Sequence, residues 1–158
     1  MSTENVEYEY VGFWVRVGAS LIDTVVVVLA TAPLLLWFYG WDYFVSPSQG
    51  MFAGSADFVI TWIFPAAAAI IFWRTRQATP GKMVFSARVV DARTGATLTL
   101  SQSIIRYVGY FVSTIPFGLG LVWVAFDAKK QGWHDKIAGT VVIRPKHSGN
   151  QAVKFDGA

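Results

Sequence analysis

The chain has 158 residues, of which 54% are hydrophobic and 16% aromatic against 15% charged, with a formal charge of +3. Soluble domains carry about 25% charged residues, so this composition argues against a small water-soluble globule, and seven Trp with twelve Phe give too much buriable surface for a disordered chain. Cys is absent, which removes disulfides, thiol nucleophiles and thiol-borne zinc or lipid attachment.

Residues 1–10 contain Glu4, Glu7 and Glu9 and read as an acidic tail. A first apolar block follows over about 17–39, interrupted by one charge, Asp23. It exceeds the roughly 20 residues that cross a bilayer core, and lipid demands internal backbone hydrogen bonding, so the block is a transmembrane helix. The acidic residues before it are the reverse of a secretory leader's basic start. Trp41, Tyr43 and Phe44 then suit a membrane interface.

The second span covers about 55–73, carries Pro65 near its centre and ends at Arg74 and Arg76. ThrProGlyLys at 79–82 reads as a tight turn. It is no phosphate loop, because Arg76 stands where the first Gly belongs and Met83 where Ser or Thr should follow. Alternation of β-branched residues over 83–100 around ArgThrGlyAla reads as a β-hairpin outside the bilayer. Ser101 is placed to cap the next helix.

The third block, about 104–126, is broken at its centre by Pro116, Gly118 and Gly120. Basic residues decide its course. Arg16 precedes the first span, six lie from Arg74 through Arg106, six lie from Lys129 through Lys154, and none lies between. The positive-inside tendency puts the N-terminus, the hairpin and the tail in the cytoplasm, so the third block enters and returns. Residues 139–143 then read as a short strand able to join the hairpin's sheet, and 146–158 as a disordered tail.

Arg16 and Asp23 stand two helical turns apart, on a face that also collects Gly12, Ser20, Thr24 and Thr31. An Asp on a membrane helix costs about 2.5 to 3.5 kcal/mol on insertion scales, so it needs a partner, a proton or a role. Arg16 and Arg106 are its candidate partners. Near the end, Asp127, Gln131, His134 and Asp135 crowd polar chemistry against an apolar helix end. Asp135 can cap a short helical turn that Gly139 closes. Lys and Arg flank apolar blocks instead of forming a stripe, which argues against nucleic acid. No hydrolase or dinucleotide motif occurs, so neither an enzyme nor a cofactor is expected, and a metal is left undetermined.

Residues 12–23, 79–91 and 126–142 together resemble the RDD family of small membrane proteins, named for one Arg and two Asp, with the likeness extending over about 10–145. The resemblance implies that Arg16 and Asp23 are the family's Arg and first Asp, with the second at Asp127 or Asp135. It also implies a membrane protein associated with transport, in some members with sodium/proton antiport.

The expected architecture is an all-α integral membrane protein: two full transmembrane helices, a third broken or re-entrant helical hairpin, and a small cytoplasmic β-hairpin or sheet. Residues 11–145 form the membrane domain, in a bacterial inner membrane with a cytoplasmic N-terminus. Arg16, Asp23, Asp127, Gln131, His134 and Asp135 are the expected ligand- or ion-handling residues, with Ser20, Thr24 and Arg106 secondary. Expected partners are the lipid bilayer, a second copy or another membrane protein, and a small cation or proton. The rival expectation is a non-transporting scaffold or accessory subunit.

Overall fold

The computed structural model describes residues 7–46 and 53–146. The expected disordered tail from residue 147 onward and the first six residues of the acidic segment lie outside the described residues. The element order is β1 (Tyr8–Tyr10), α1 (Phe13–Tyr39), α2 (Asp42–Val45), α3 (Ser55–Phe58), α4 (Phe64–Thr75), α5 (Pro80–Val84), β2 (Arg88–Asp91), α6 (Leu100–Thr114), α7 (Leu119–Val122), α8 (Trp133–Ala138) and β3 (Thr140–Pro145).

α1 is 27 residues long and apolar enough to span a membrane. Its side chains face outward, as Leu29 at 69% and Trp37 at 79% exposure illustrate; in a bilayer those faces meet lipid. α3, a π-helical turn over Val59–Ile63, and α4 together make a second span, Ser55–Thr75. Pro65 lies inside this continuous span, directly after the π-helical turn, so the hydrogen bond that a proline removes falls where the i→i−4 ladder is already interrupted. At the far end of these spans Asp57 is buried, accepting hydrogen bonds from Tyr43 Oη, Ala53 N and Thr61 Oγ1, while its own N–H donates to Tyr39 Oη. This network ties the end of the first span to the start of the second.

The third block is two helices bent by 112°, α6 and the Leu119–Ala125 segment. Phe117 (φ +53°) and Gly118 (φ +74°) form the reversal in left-handed backbone, which Gly adopts without a steric cost. Ile115 and Phe117 stand exposed at the apex. Gly120 lets the returning helix close on α6, since a Cβ there would lie 2.6 Å from Ser113 Cα. The break read from Pro116, Gly118 and Gly120 is therefore a sharp turn back.

Strand order β1-β3-β2 explains why the block must return. β1 precedes the first span, β2 follows the second, and β3 follows the third block, yet all three share one antiparallel sheet. Two crossings bring the chain back to the sheet's side, and a third would prevent β3 from pairing. Val11, Trp73, Ala87, Val89, Leu98 and Val142 form the core beneath this sheet.

Three local expectations are corrected. The segment after β2 makes no second strand: Asp91 Oδ1 accepts from the N–H groups of Arg93 and Thr94 and the chain turns toward α6, so β2 pairs with β3 instead of a hairpin neighbour. Thr99, not Ser101, caps α6, in a reciprocal box with Gln102. ThrProGlyLys is the start of a short helix with Thr79 preceding its first residue, Pro80. The strand β1 arises within the acidic segment, where Glu9 pairs with Arg144 across the sheet.

Single cysteines test this topology cleanly, because the chain has none of its own. Arg93→Cys and Ala128→Cys are expected to react with a membrane-impermeant maleimide from one side, and Asp42→Cys from the other. Labelling of Arg93→Cys and Ala128→Cys from opposite sides would mean that the third block crosses.

Candidate functional site: a buried arginine and aspartate cluster beside a cavity

Asp135 is the hub. It sits at the third position of α8, where Oδ2 accepts from the N–H of Gly132 and closes the helix start. The same oxygen pairs with Arg16 Nη1 from the foot of α1. Oδ1 pairs with Arg106 Nη1 from α6, and Arg106 also donates to Thr140 Oγ1. Arg106 and Asp135 are both fully buried. The guanidinium of Arg106 lies over the rings of Trp73, at 5.3 Å, and Tyr110, at 5.7 Å, which spreads its charge against aromatic faces. Arg16 completes its fork by donating to the carbonyls of Val11 and Lys130. Three chain segments, the foot of α1, α6 and the stretch carrying α8, are thus clamped by one carboxylate.

Glycine makes that convergence possible. α8 packs directly on α6 because Gly109 has no side chain; a Cβ there would lie 2.9 Å from His134 Cα. His134 is buried, with its ring stacked 4.0 Å from that of Tyr110 and its backbone N–H donating to Ser113 Oγ.

Asp23 forms a second cluster. Its Oδ2 accepts from Thr79 Oγ1 and its Oδ1 from the N–H of Gly81, so the start of α5 is pinned to α1. The pairing of Asp23 with Arg16 or Arg106 is corrected: both arginines turn to Asp135. The small and polar face of α1, of the kind that in membrane helices usually turns to a protein interior, does so only in part: Ser20 and Thr24 are exposed and donate to carbonyls of their own helix, whereas Thr31 is buried. Asp127 and Gln131 stand apart from the hub. Asp127 pairs with Lys136 and accepts from the N–H groups of Lys129 and Gln131, and Gln131 donates to the carbonyl of Thr140. They shape the loop that carries α8.

Sequence reading missed Lys82. It is 7% exposed, and its Nζ makes a 3.4 Å bond to Thr79 Oγ1. Its signal was the GlyLys pair next to an apolar helix. Lys82, Arg16, Tyr110 and His134 line one cavity of about 290 Å³ whose other walls include Val17, Leu121 and, at its exposed edge, Ser20. Among the described residues no group of three or more His, Asp or Glu gathers as a metal site.

Burial pushes the His134 imidazole down to about 3, against a partial upward pull from Asp135. Burial alone would raise Asp135, but Arg106 and Arg16 hold its carboxyl well below the ordinary range. Both groups therefore bind fewer protons folded than unfolded, and stability falls as pH drops below the unfolded pKa of each. For His134 that window runs from 6.5 down to about 3. The unfolding midpoint in detergent is expected to fall across this window, and His134→Gln to flatten its upper part. An unchanged slope in His134→Gln would remove the assignment.

The RDD family profile matches residues 10–139. The chain is 36% identical over 148 residues to the uncharacterized membrane protein YteJ of Bacillus subtilis, covering 90% of this chain and 86% of that one. It is 31% identical to the uncharacterized protein RP437 of Rickettsia prowazekii, covering 85% and 96%. It is 33% identical to the uncharacterized protein YckC of Bacillus subtilis, covering 85% of each. No solved structure matches.

Proposed function

The chain belongs to the RDD family of membrane proteins, and from that premise we propose that it moves a small solute across a bacterial inner membrane, using the cavity beside the Arg16–Asp135–Arg106 cluster as its binding place. The observation that carries this reading is the cavity itself, walled by Arg16, Lys82, Tyr110 and His134 at the sheet end of the spans. An open-mouthed cavity next to buried charge is what a ligand site needs and what a purely structural ion cluster does not. Net positive-inside bias puts this end in the cytoplasm. Two crossings enclose no path by themselves, so transport takes place in an oligomer or beside a partner protein. Sodium/proton exchange has less to recommend it, because Asp23 and Asp135 are both engaged by donors of the chain itself.

Proteoliposomes holding a pH-sensitive dye, given in turn a sodium and a phosphate gradient, test the proposal. Wild type is expected to respond to one of them, and Ser20→Phe, which fills the cavity and leaves the arginines in place, to respond to neither. Well-inserted wild type without any response would leave the scaffold reading in its place.

A further inference from the structure

Three cations, Arg16, Lys82 and Arg106, meet two carboxylates, Asp23 and Asp135, around Tyr110 and His134. Arg106 and Arg16 share the single charge of Asp135, and Asp23, whose oxygens accept from the neutral Thr79 hydroxyl and Gly81 N–H, keeps its charge on the far side of Thr79 from Lys82, so the cluster carries one excess positive charge. Lys82 is the cation of the three that faces the cavity without a direct carboxylate contact. It is buried and lines the cavity, and no carboxylate among the described residues pairs with it. A buried ammonium in that position is costly unless an anion joins it.

The available donors define the anion. Lys82 offers ammonium N–H groups beyond the one directed at Thr79, and Tyr110 offers its hydroxyl proton, since its oxygen accepts from Arg106. Two donors beside one excess positive charge suit a singly charged oxyanion. Apart from Ser20 and Gly118, the remaining wall is apolar, with Phe13, Val17, Leu121, Val122 and Val124. It accommodates a hydrocarbon remainder next to the charge. We propose that the cavity binds a singly charged phosphate group, with Lys82 as its ion partner and Tyr110 as its hydroxyl donor. This rests on the reading of the cavity as the ligand site and names the ligand's chemistry. Such a group comes either from an acidic lipid headgroup or from a soluble phosphate.

The test uses the purified full chain in dodecyl maltoside, with binding read by native mass spectrometry and by the shift in unfolding midpoint. Phosphatidylglycerol, phosphatidylcholine and sodium phosphate are titrated separately. Wild type is expected to prefer phosphatidylglycerol or sodium phosphate over phosphatidylcholine, whose phosphate carries its own choline cation and brings no net negative charge to Lys82, by about tenfold or more, the scale of one charge-assisted hydrogen bond. The arm that shows the preference identifies the source. Lys82→Gln is expected to abolish it and Lys82→Arg to keep most of it. Where Lys82→Gln fails to fold, Val17→Trp, which fills the cavity with the charges intact, is expected to abolish the preference too. Binding unchanged in Lys82→Gln or in folded Val17→Trp, or no preference in wild type, overturns the proposal. Binding without flux would leave it standing and remove transport, whereas flux with Lys82-independent binding would do the reverse.

Discussion

Asp135→Asn is expected to cost about 3 to 5 kcal/mol and to leave little folded protein in the membrane, because it strands two arginines, one of them fully buried. The amide keeps the volume and one acceptor oxygen but not the charge. Its NH2 would also face the N–H of Gly132 or an arginine, donor against donor. The measurement is the unfolding midpoint in dodecyl maltoside together with the yield of monodisperse protein. Asp127→Asn is the matched control, since its partner Lys136 is exposed and such pairs contribute about 0 to 1 kcal/mol. Equal losses for the two variants would contradict the assignment of Asp135 as hub.

Gly81→Ala is expected to be nearly as damaging, for a different reason. A Cβ at this position would lie 1.9 Å from the carbonyl oxygen of Ala19. That oxygen belongs to the backbone of α1, so relief requires α5 to move away as a body. Overpacking of a close contact costs about 1 to 3 kcal/mol, sometimes more. The displacement would also pull the Gly81 N–H and the Thr79 hydroxyl off Asp23, leaving an uncompensated carboxylate. Lys82 would leave the cavity with them. Gly12→Ala is the control, because nothing lies within 4 Å of a Cβ there; it is expected to cost less than about 1 kcal/mol, the scale of an altered helix cap. A Gly81→Ala protein as stable as Gly12→Ala would mean that α5 does not seat on α1 as described.

Much of the architecture was legible in the sequence because bilayer thickness and basic-residue placement are strong constraints. The first block, Pro116 with Gly118 and Gly120, and the three groups of Lys and Arg led to two crossings and a return. β3 was legible from its run of Val and Ile. β1 was not, because GluTyrGluTyr is short and charged and gains its partner only from Arg144 and the far end of the chain. The hairpin expectation failed for the same reason: alternation reports that residues lie in a strand and is silent on which distant strand they meet.

The site was legible as a set of residues and misread as a set of bonds. Helical spacing put Arg16 and Asp23 on one face, but an arginine is long, and helix side chains lean toward the N-terminus. Arg16 leans that way to Val11, Lys130 and Asp135, while Asp23, two turns further along the same helix, meets the short helix that carries Gly81. Between Asp127 and Asp135 the sequence offers no ranking. Gly109 supplies one, since it lets α8 close on α6 with Asp135 inside. Lys82 escaped because a GlyLys pair invites comparison with a phosphate loop and is set aside when that fails.

The contact between Arg16 and Asp135 joins the beginning of the first span to the last helix of the described residues and builds the site. A double-mutant cycle of Arg16→Met, Asp135→Leu and the combination, read as unfolding free energy in dodecyl maltoside, measures it. The two substitutions are expected to be strongly non-additive, with the double variant more stable than the sum of the single losses by more than about 1 kcal/mol. Additive losses would mean that Arg16 does not pair with Asp135, and the clamp that builds the site would be gone.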